Sequence, residues 1–457
     1  MTIHPDTRLP RRIPRPKRSR ARTADLLAFS GFIVVVTLGL WVRHGGPSEL
    51  VGGGTDTLLA FGEVSGLVAA LAALGAIVLT ARPVFLERRY GLDRLLALHR
   101  WCGIVTVFAV VTHSVIDTWA WGAASGTTII AALIDLLQHE KWMVAALAAT
   151  LLFVVIGFSS WRRIRTALSY ETWYFLHLLA YLAVLLGFGH QLTLGTDFAT
   201  DRLATWWWIA LAAGVVLLIA YARFAVIVRS LSRRFYVQGT SWEADDIGSL
   251  QLAGPGLKGL RASSGQYFIL RAMTRDLWWQ AHPYSLSAAP TDHGLRFTIK
   301  QFGVDSARLL RLSPGTRVLL EGPYGAFTVD AAEGRPVVLV AGGAGISPIR
   351  AILEDCHPSQ SPVVFVRVST DSHVAHRGEL EELVASRGGR LVILAGPRAW
   401  FAKSDPFQAN ALVAEVPDIA SRDVFVCGPA ALESTVISGM RKAGVSTKRI
   451  HLESFGV

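Results

Sequence analysis

The sequence predicts a multi-domain membrane protein: a six-helix transmembrane bundle, then an antiparallel β-barrel domain, then a parallel α/β domain. Three observations predict it. Of the 457 residues 51% are hydrophobic, and apolar runs of spanning length recur before residue 226. After Arg234 the texture changes to short β-rich runs set apart by Gly, Pro and Asp, the pattern of a soluble β module. From Gly334 strand-like and helix-like runs alternate, as a parallel sheet with crossover helices requires.

The apolar runs lie near residues 24–42, 61–81, 95–116, 142–160, 171–190 and 205–225. Each holds about 20 residues of helix, enough for a hydrocarbon core about 30 Å thick. Their connections alternate in charge. One set is basic: Arg82, Arg88, Arg89 and Arg94; Arg162, Arg163 and Arg165; Arg223, Arg229, Arg233 and Arg234. The other carries mainly Glu49, Asp56, Asp117, Asp135, Glu140, Asp197 and Asp201. The positive-inside bias then puts both termini in the cytoplasm of a multi-pass plasma-membrane protein in contact with lipid.

Residues 8–22 hold eight Lys or Arg directly before the first apolar run, so much of the net charge of +11 reads as a cytoplasmic anchor and not as a nucleic-acid arm. No small-residue cleavage site ends the first run, which reads as a retained signal anchor. Residues 127–138 are too short to span and are expected on the membrane surface or capping the bundle. Cys102, Cys356 and Cys427 are too scattered for a zinc site or a disulfide framework and fit a reducing compartment. The expected divisions are a basic tail 1–23, a bundle 24–228, a barrel 229–331 and an α/β domain 332–457.

Residues 96–115, LALHRWCGIVTVFAVVTHSV, place His99 and His113 in the third apolar run, and the fifth run supplies His177 and His190. A polar ring in lipid needs a partner. Along a helix the first pair is separated by about 21 Å and the second by about 20 Å, so two helices offer two histidines at each of two matching depths. Axial ligation of a flat macrocycle from both helices would satisfy all four rings, which predicts two bis-histidine b-type haems, His99 with His177 and His113 with His190. On the third helix the two rings are only about 40° apart around the axis, but on the fifth about 140°, so the fifth helix is expected to kink or change its winding near Gly187 and Gly189. Arg94, Arg100, Arg162 and Arg163 offer positive charge for haem propionates, with none singled out. His44 and His139 read as ordinary polar residues of the connections, with Arg43 and His44 also within the possible reach of an anionic acceptor.

In the soluble half, AHPYSLSAAP (281–290) combines an aromatic ring, Tyr284, with hydroxyls at Ser285 and Ser287, the elements a flavin needs against its ring and near its reactive nitrogen. VVLVAGGAGISPIRAIL reads as strand, glycine turn and helix. Gly342, Gly343 and Gly345 let backbone approach a pyrophosphate, Ser347 is expected to cap the helix and Pro348 to occupy its first turn. DVFVCGP ends a later strand of the same sheet, which would put Cys427, Gly428 and Pro429 beside a nicotinamide. For the nucleotide's second ribose, Arg367, Ser369 and Arg377 suit a 2′-phosphate and Asp371 a free hydroxyl, a slight balance toward NADPH.

With these motifs in place, the soluble half resembles the ferredoxin-NADP reductase superfamily, and residues 24–457 resemble the ferric reductase and NADPH oxidase family of transmembrane flavocytochromes. HPYSLSAAP, EGPYG with Gly322 and Gly325, AGGAGISP, CGP and the four intramembrane histidines carry the resemblance. It implies that His282, Pro283, Tyr284 and Ser285 bind FAD, that Gly342, Gly343, Gly345, Ser347 and Pro348 hold the NAD(P)H pyrophosphate, and that Phe455 corresponds to the terminal aromatic covering the flavin. Where His282 stands, soluble relatives commonly have Arg. The expected function is transmembrane transfer of electrons from cytoplasmic NAD(P)H through FAD and the haems to a small-molecule acceptor outside, oxygen giving superoxide or a ferric chelate. Two other classes are compatible with the residues: a membrane-anchored flavin reductase without transmembrane flow, and a histidine-dependent proton or ion transporter with a redox-sensing domain.

Overall fold

A computed structural model describes Arg12 and residues 23–81, 83–194, 200–397 and 405–454. Arg82, Asp197, Phe455 and the basic tail apart from Arg12 lie outside these residues, as do the side chains of Arg88, Arg89 and Arg223. Two compact units are present. One contains the residues up to Leu86 and Leu92–Arg223; the other contains Arg12, Glu87–Gly91 and the residues from Phe224 on.

Six long helices make up the first unit: Thr23–Arg43, Thr55–Ala81, Leu92–Ser125, Met143–Ser160, Tyr170–Thr193 and Arg202–Arg233, the last running on past Arg223. Each contains a stretch long and apolar enough to cross a membrane, and they are called spans 1 to 6 below. No proline interrupts any of them, so the backbone donors past the first turn can be met inside each helix, as hydrocarbon demands. Large apolar side chains such as Leu27, Val35, Phe108 and Leu185 stand at least two-thirds exposed on the bundle. In water that surface would aggregate; in lipid it is the solvated face. Several polar side chains within the bundle are paired across helices: Trp41 Nε1 donates to Glu63 at 2.9 Å, Trp207 Nε1 to Thr37 at 3.1 Å and Trp208 Nε1 to Gln191 at 2.8 Å. The short apolar segment forms the helix Ile129–His139, N-capped by Thr128, and lays Ala132 and Leu136 against its neighbours.

In the second unit six antiparallel strands come first: β1 Phe235–Ala244, β2 Ile247–Ala253, β3 Tyr267–Ala272, β4 His282–Ser285, β5 Leu295–Lys300 and β6 Arg317–Tyr324. Their order is β4-β3-β6-β1-β2-β5, and a bridge between Leu286 and Phe297 draws the two edges together, so the sheet curls into a barrel. Phe235, Leu250, Phe268, Leu270 and Phe297, all fully buried, fill it. Five parallel strands follow, β7 Val337–Gly342, β8 Val363–Val368, β9 Arg390–Ala395, β10 Asp423–Gly428 and β11 Ile450–Ser454, in the order β11-β10-β7-β8-β9. Apolar clusters cover this sheet on both faces, which is why β7 and β10 read as unbroken hydrophobic runs and not as alternating ones. From β7 the chain builds outward to β9 and then returns to lay β10 on the other side of β7. The switch in strand order therefore falls between β7 and β10, the place where open α/β sheets bind ligands.

Arg12 adds a contact that no sequence pattern announced. Its backbone bridges to Thr291, and its guanidinium reaches Glu354 at 3.2 Å and Asp355 at 2.9 Å, at the C-terminus of the helix Ile346–Asp355. A cation there also meets the negative end of the helix dipole, though an exposed pair of this kind is worth only about 0.2–1 kcal/mol.

Candidate functional site

The four intramembrane histidines form two pairs between spans 3 and 5. The His99 and His177 ring centroids are 5.8 Å apart and those of His113 and His190 6.1 Å. The first histidine of one span meets the first of the other and the second meets the second, so the two spans run parallel. Two imidazoles on opposite sides of one metal, each with a bond of about 2.0–2.1 Å, place their centroids roughly 6 Å apart. Both pairs fit that spacing. His99 and His113 each place Nδ1 on a span 2 carbonyl, Ala76 O at 3.1 Å and Gly62 O at 3.0 Å, which leaves Nε2 for the partner side. Such a bond through the remote nitrogen is what fixes a ligating histidine.

On span 5, His177 Nδ1 lies 3.3 Å from Ser160 Oγ and its ring stacks on Trp173 at 5.1 Å, while Arg165 sits 4.4 Å over Trp173. His190 Nδ1 is buried without a hydrogen-bond partner among the described residues. A cavity of about 1040 Å³ opens beside the outer pair, walled largely by Leu, Ala, Val and Phe side chains together with His113 and His190. An apolar macrocycle suits those walls. Tyr170–Thr193 is one continuous α-helix, with no 3₁₀ or π turn near Gly187 and Gly189. The inner rings cross at 72° and the outer at 32°. Gly189 serves packing, since a Cβ there would lie 2.6 Å from the Trp142 ring. Arg94, Arg100, Arg162 and Arg163 are all exposed. Arg43 and His44 converge on Asp201, at 3.7 and 3.2 Å, and His139 pairs with Asp135 at 2.9 Å.

The flavin motif occupies β4 and the residues after it. Strand pairing with β3 fixes the backbone from His282 to Ser285, and Tyr284 packs against the barrel core. Its ring is nearly parallel to that of His282, at 6.4 Å, and burial pushes its hydroxyl up to about 12. His282 Nε2, Ser285 Oγ and Ser287 Oγ are all buried without a hydrogen-bond partner among the described residues. Orphaned groups of this kind are costly unless a ligand completes them, and three within six residues fit a polar cofactor. Burial also depresses the His282 pKa, favouring the neutral ring. Pro283 is exposed. Gly322 and Gly325, at φ +130° and +90°, turn the chain beside Phe268 and Tyr267, where a side chain would be strained. Tyr284→Ala is expected to weaken FAD retention about tenfold, read as flavin lost on gel filtration, with the fold of the barrel kept.

At the switch point the glycines divide the labour. Gly343 adopts φ +54° and has open space where a Cβ would be, so its backbone is accessible to a ligand. Gly345 is packed: a Cβ would stand 2.0 Å from the Cys427 carbonyl oxygen, and a Cβ on Gly428 would stand 3.2 Å from the Gly342 Cα. Ser347 does not cap the helix. A 3₁₀ turn over Gly343–Gly345 leads straight into Ile346–Asp355, so Ser347 and Pro348 fall within the first turn and Ser347 Oγ donates to Thr298 O at 3.2 Å, tying the helix to β5. Cys427 is fully buried in the sheet and its thiol is raised well above its ordinary pKa by that burial, which disfavours the thiolate. Pro429 follows Gly428 directly, N-terminal to the helix Ala430–Lys442. Arg367 spends its guanidinium on the carbonyls of Val368, Leu394 and Gly396, Arg377 pairs with Asp371 and Glu381, and Ser369 is exposed beyond β8.

A buried polar network joins the barrel to the α/β domain. His376 Nδ1 lies between Glu243 Oε2 at 3.1 Å and Glu379 Oε1 at 3.3 Å, and its Nε2 is 2.8 Å from Thr298 Oγ1. Arg296 grips both oxygens of Glu379, each at 2.8 Å, and Arg350 contacts Glu379 and Glu354. The His376 hydrogen bond holds Glu243 down at about 2 against the opposing effect of burial. Burial alone would raise Glu379, but His376, Arg296 and Arg350 bring it below its ordinary value. A carboxylate depressed in the folded state contributes stability that is complete above its unfolded value of 4.5 and is lost as the pH falls toward about 2. The thermal unfolding temperature of the purified protein is therefore expected to fall as the pH drops over that interval, and Glu243→Gln to flatten the slope.

Taken together, the bundle, the curled antiparallel sheet and the doubly wound parallel sheet define a membrane oxidoreductase that uses a flavin and a nicotinamide. Residues 65–188 match the ferric reductase like transmembrane component family, residues 244–328 an FAD-binding domain and residues 339–437 an oxidoreductase NAD-binding domain. That order is the architecture of the ferric reductase and NADPH oxidase family, and this chain is a multi-pass, NAD(P)H-dependent flavoprotein of that architecture. It is 26% identical over 209 residues to the flavohemoprotein of Oceanobacillus iheyensis, covering 42% of this chain and 51% of that one. Over 203 residues it is 30% identical to the ferredoxin reductase component of the 3-ketosteroid-9-alpha-monooxygenase of Mycolicibacterium smegmatis, covering 43% and 56%. The chain thus spans about half the length of these two curated relatives. Among solved structures it is similar to the Amycolatopsis cytochrome P450 reductase GcoB, with a TM-score of 0.41 and 24% identity over 49% of this chain and 69% of that one.

Proposed function

We propose that this oxidoreductase delivers electrons from cytoplasmic NAD(P)H to an acceptor on the opposite face of the plasma membrane, oxygen or a ferric chelate, with both termini cytoplasmic. In this reading residues 24–228 form the haem-binding bundle, 229–331 the FAD domain and 332–457 the nucleotide domain. The observation that carries it is the pair of ring separations, 5.8 and 6.1 Å, between two parallel spans. When bound, FAD takes two electrons from the nicotinamide and releases them singly, and each haem iron carries one.

The chain's own residues supply positions and surroundings. His99 and His177 would hold the inner haem and His113 and His190 the outer one. His282, Ser285 and Ser287 would complete a flavin with the polar atoms they leave unmet, and Tyr284 would offer its ring. Gly343 would bring bare backbone to the nucleotide, and the packed Gly345 would keep the β7 turn against Cys427. The reading asks no side chain to act as acid, base or nucleophile, which agrees with a Cys427 thiol held protonated.

Proteoliposomes with the soluble domains outward and a membrane-impermeant ferric chelate or cytochrome c trapped inside test the proposal. NADPH added outside is expected to reduce the trapped acceptor, and superoxide dismutase placed inside separates direct reduction of cytochrome c from reduction through superoxide. An anchored flavin reductase would reduce only external acceptors. A transporter would carry flux without haem.

A further inference from the structure

The two histidine pairs differ in what stands behind them. His99 Nδ1 meets a single carbonyl, Ala76 O at 3.1 Å. His113 Nδ1 meets Gly62 O at 3.0 Å and also Asp117 Oδ2 at 3.0 Å, one helical turn further along span 3. Span 2 is cut away to admit this arrangement. A Cβ on Gly62 would fall 1.4 Å from Asp117 Oδ1, and a Cβ on Gly66 would fall 2.9 Å from His113 Nδ1. Two glycines four residues apart thus form a notch on one helix face that receives the ring and its carboxylate. Asp117 Oδ1 is itself buried with no hydrogen-bond partner among the described residues, so the carboxylate's resolved contact is the imidazole.

We propose that Asp117 is a positioning residue that sets the outer haem's reduction potential below the value the inner haem's surroundings would give it. This rests on the assignment of His113 and His190 as ligands. A carboxylate set beside Nδ1, whose hydrogen bond goes to Gly62 O, polarises the ring and makes the other nitrogen a stronger donor, in the manner of the carboxylates that stand behind metal-bound histidines. A stronger donor, with a negative charge beside it in a low-dielectric site, stabilises the oxidised iron. The outer site is thereby the more strongly reducing one, where electrons leave the protein.

The test is a spectroelectrochemical titration of the full chain in detergent, comparing wild type with Asp117→Asn, together with the electron paramagnetic resonance spectrum of the oxidised haems. The expected result is that one of the two potentials moves upward in the variant while the other stays, that one low-spin ferric signal shifts, and that flavin reduction by NADPH is unchanged. Unchanged potentials with both haems retained would overturn the proposal, as would an equal shift of both. If Asp117→Asn does not hold haem, Asp117→Glu and Gly62→Ala carry the same test, because each moves the carboxylate relative to the ring: a shift confined to one haem supports the role and no shift refutes it. A wild-type protein that binds no haem would instead remove the ligand assignment itself, an outcome visible before any variant is made.

Discussion

His113→Ala is expected to abolish electron transfer across the membrane while leaving NADPH-dependent flavin reduction at its wild-type rate. In the proposed reading the imidazole is one of the two ligands at the outer site, and its partner ring, His190, stands 6.1 Å away. Loss of a metal ligand costs more than the ten- to hundredfold typical of a group behind it, so reduction of a trapped acceptor should fall by about 100-fold or more. The purified variant should keep the haem held by His99 and His177 and lose the other. His177→Ala should give the same loss of flux with the opposite haem missing. Flux through His113→Ala that matches wild type would place the electron path elsewhere.

Gly345→Ala is expected to disable the nucleotide site and little else. The added methyl would meet the Cys427 carbonyl at 2.0 Å and the Gly428 nitrogen at 3.1 Å, backbone atoms in the centre of the parallel sheet that cannot step aside. Overpacking of this kind costs about 1–3 kcal/mol, and here the strain falls on the turn that approaches the nucleotide. The KM for NADPH should rise by about tenfold or more. Flavin and haem content, and haem reduction by dithionite, should match wild type. An unchanged KM would show that the β7 turn is not the nucleotide cradle.

Much of this was legible in one dimension. Spans 1 to 6 announced themselves because lipid forces about 20 apolar residues in a row, and the histidine pairs because spacings of fourteen and thirteen residues recur on two helices of like direction. The glycine turn and the Cys-Gly-Pro run are legible at the ends of strands of one sheet, but the strand order that puts the switch between them comes only with the structure. The parts that escaped the sequence depend on neighbours distant along the chain. Asp117 was grouped with the acidic connections, since span 3 was expected to end near residue 116; the helix continues to Ser125, and the i, i+4 spacing from His113 is the sign that would have found it. The Gly62 and Gly66 notch has meaning only against His113 and Asp117 on another helix. Ser347 looked like a cap because Ser commonly is one, yet the 3₁₀ turn begins the helix earlier and β5 offers Thr298 O as an acceptor. Arg367 looked free for a phosphate, and three carbonyls at the ends of β8 and β9 claim it.

The most direct measurement is the reduced-minus-oxidised optical spectrum of the full chain, purified after expression with ample haem supply, with NADPH as reductant and haem and flavin quantified separately. Two b-type haems and one FAD per chain, both haems reduced by NADPH in wild type and one haem lost in His113→Ala, is the result expected from two ligand pairs between spans 3 and 5. Flavin that NADPH reduces in a protein containing no haem would contradict it.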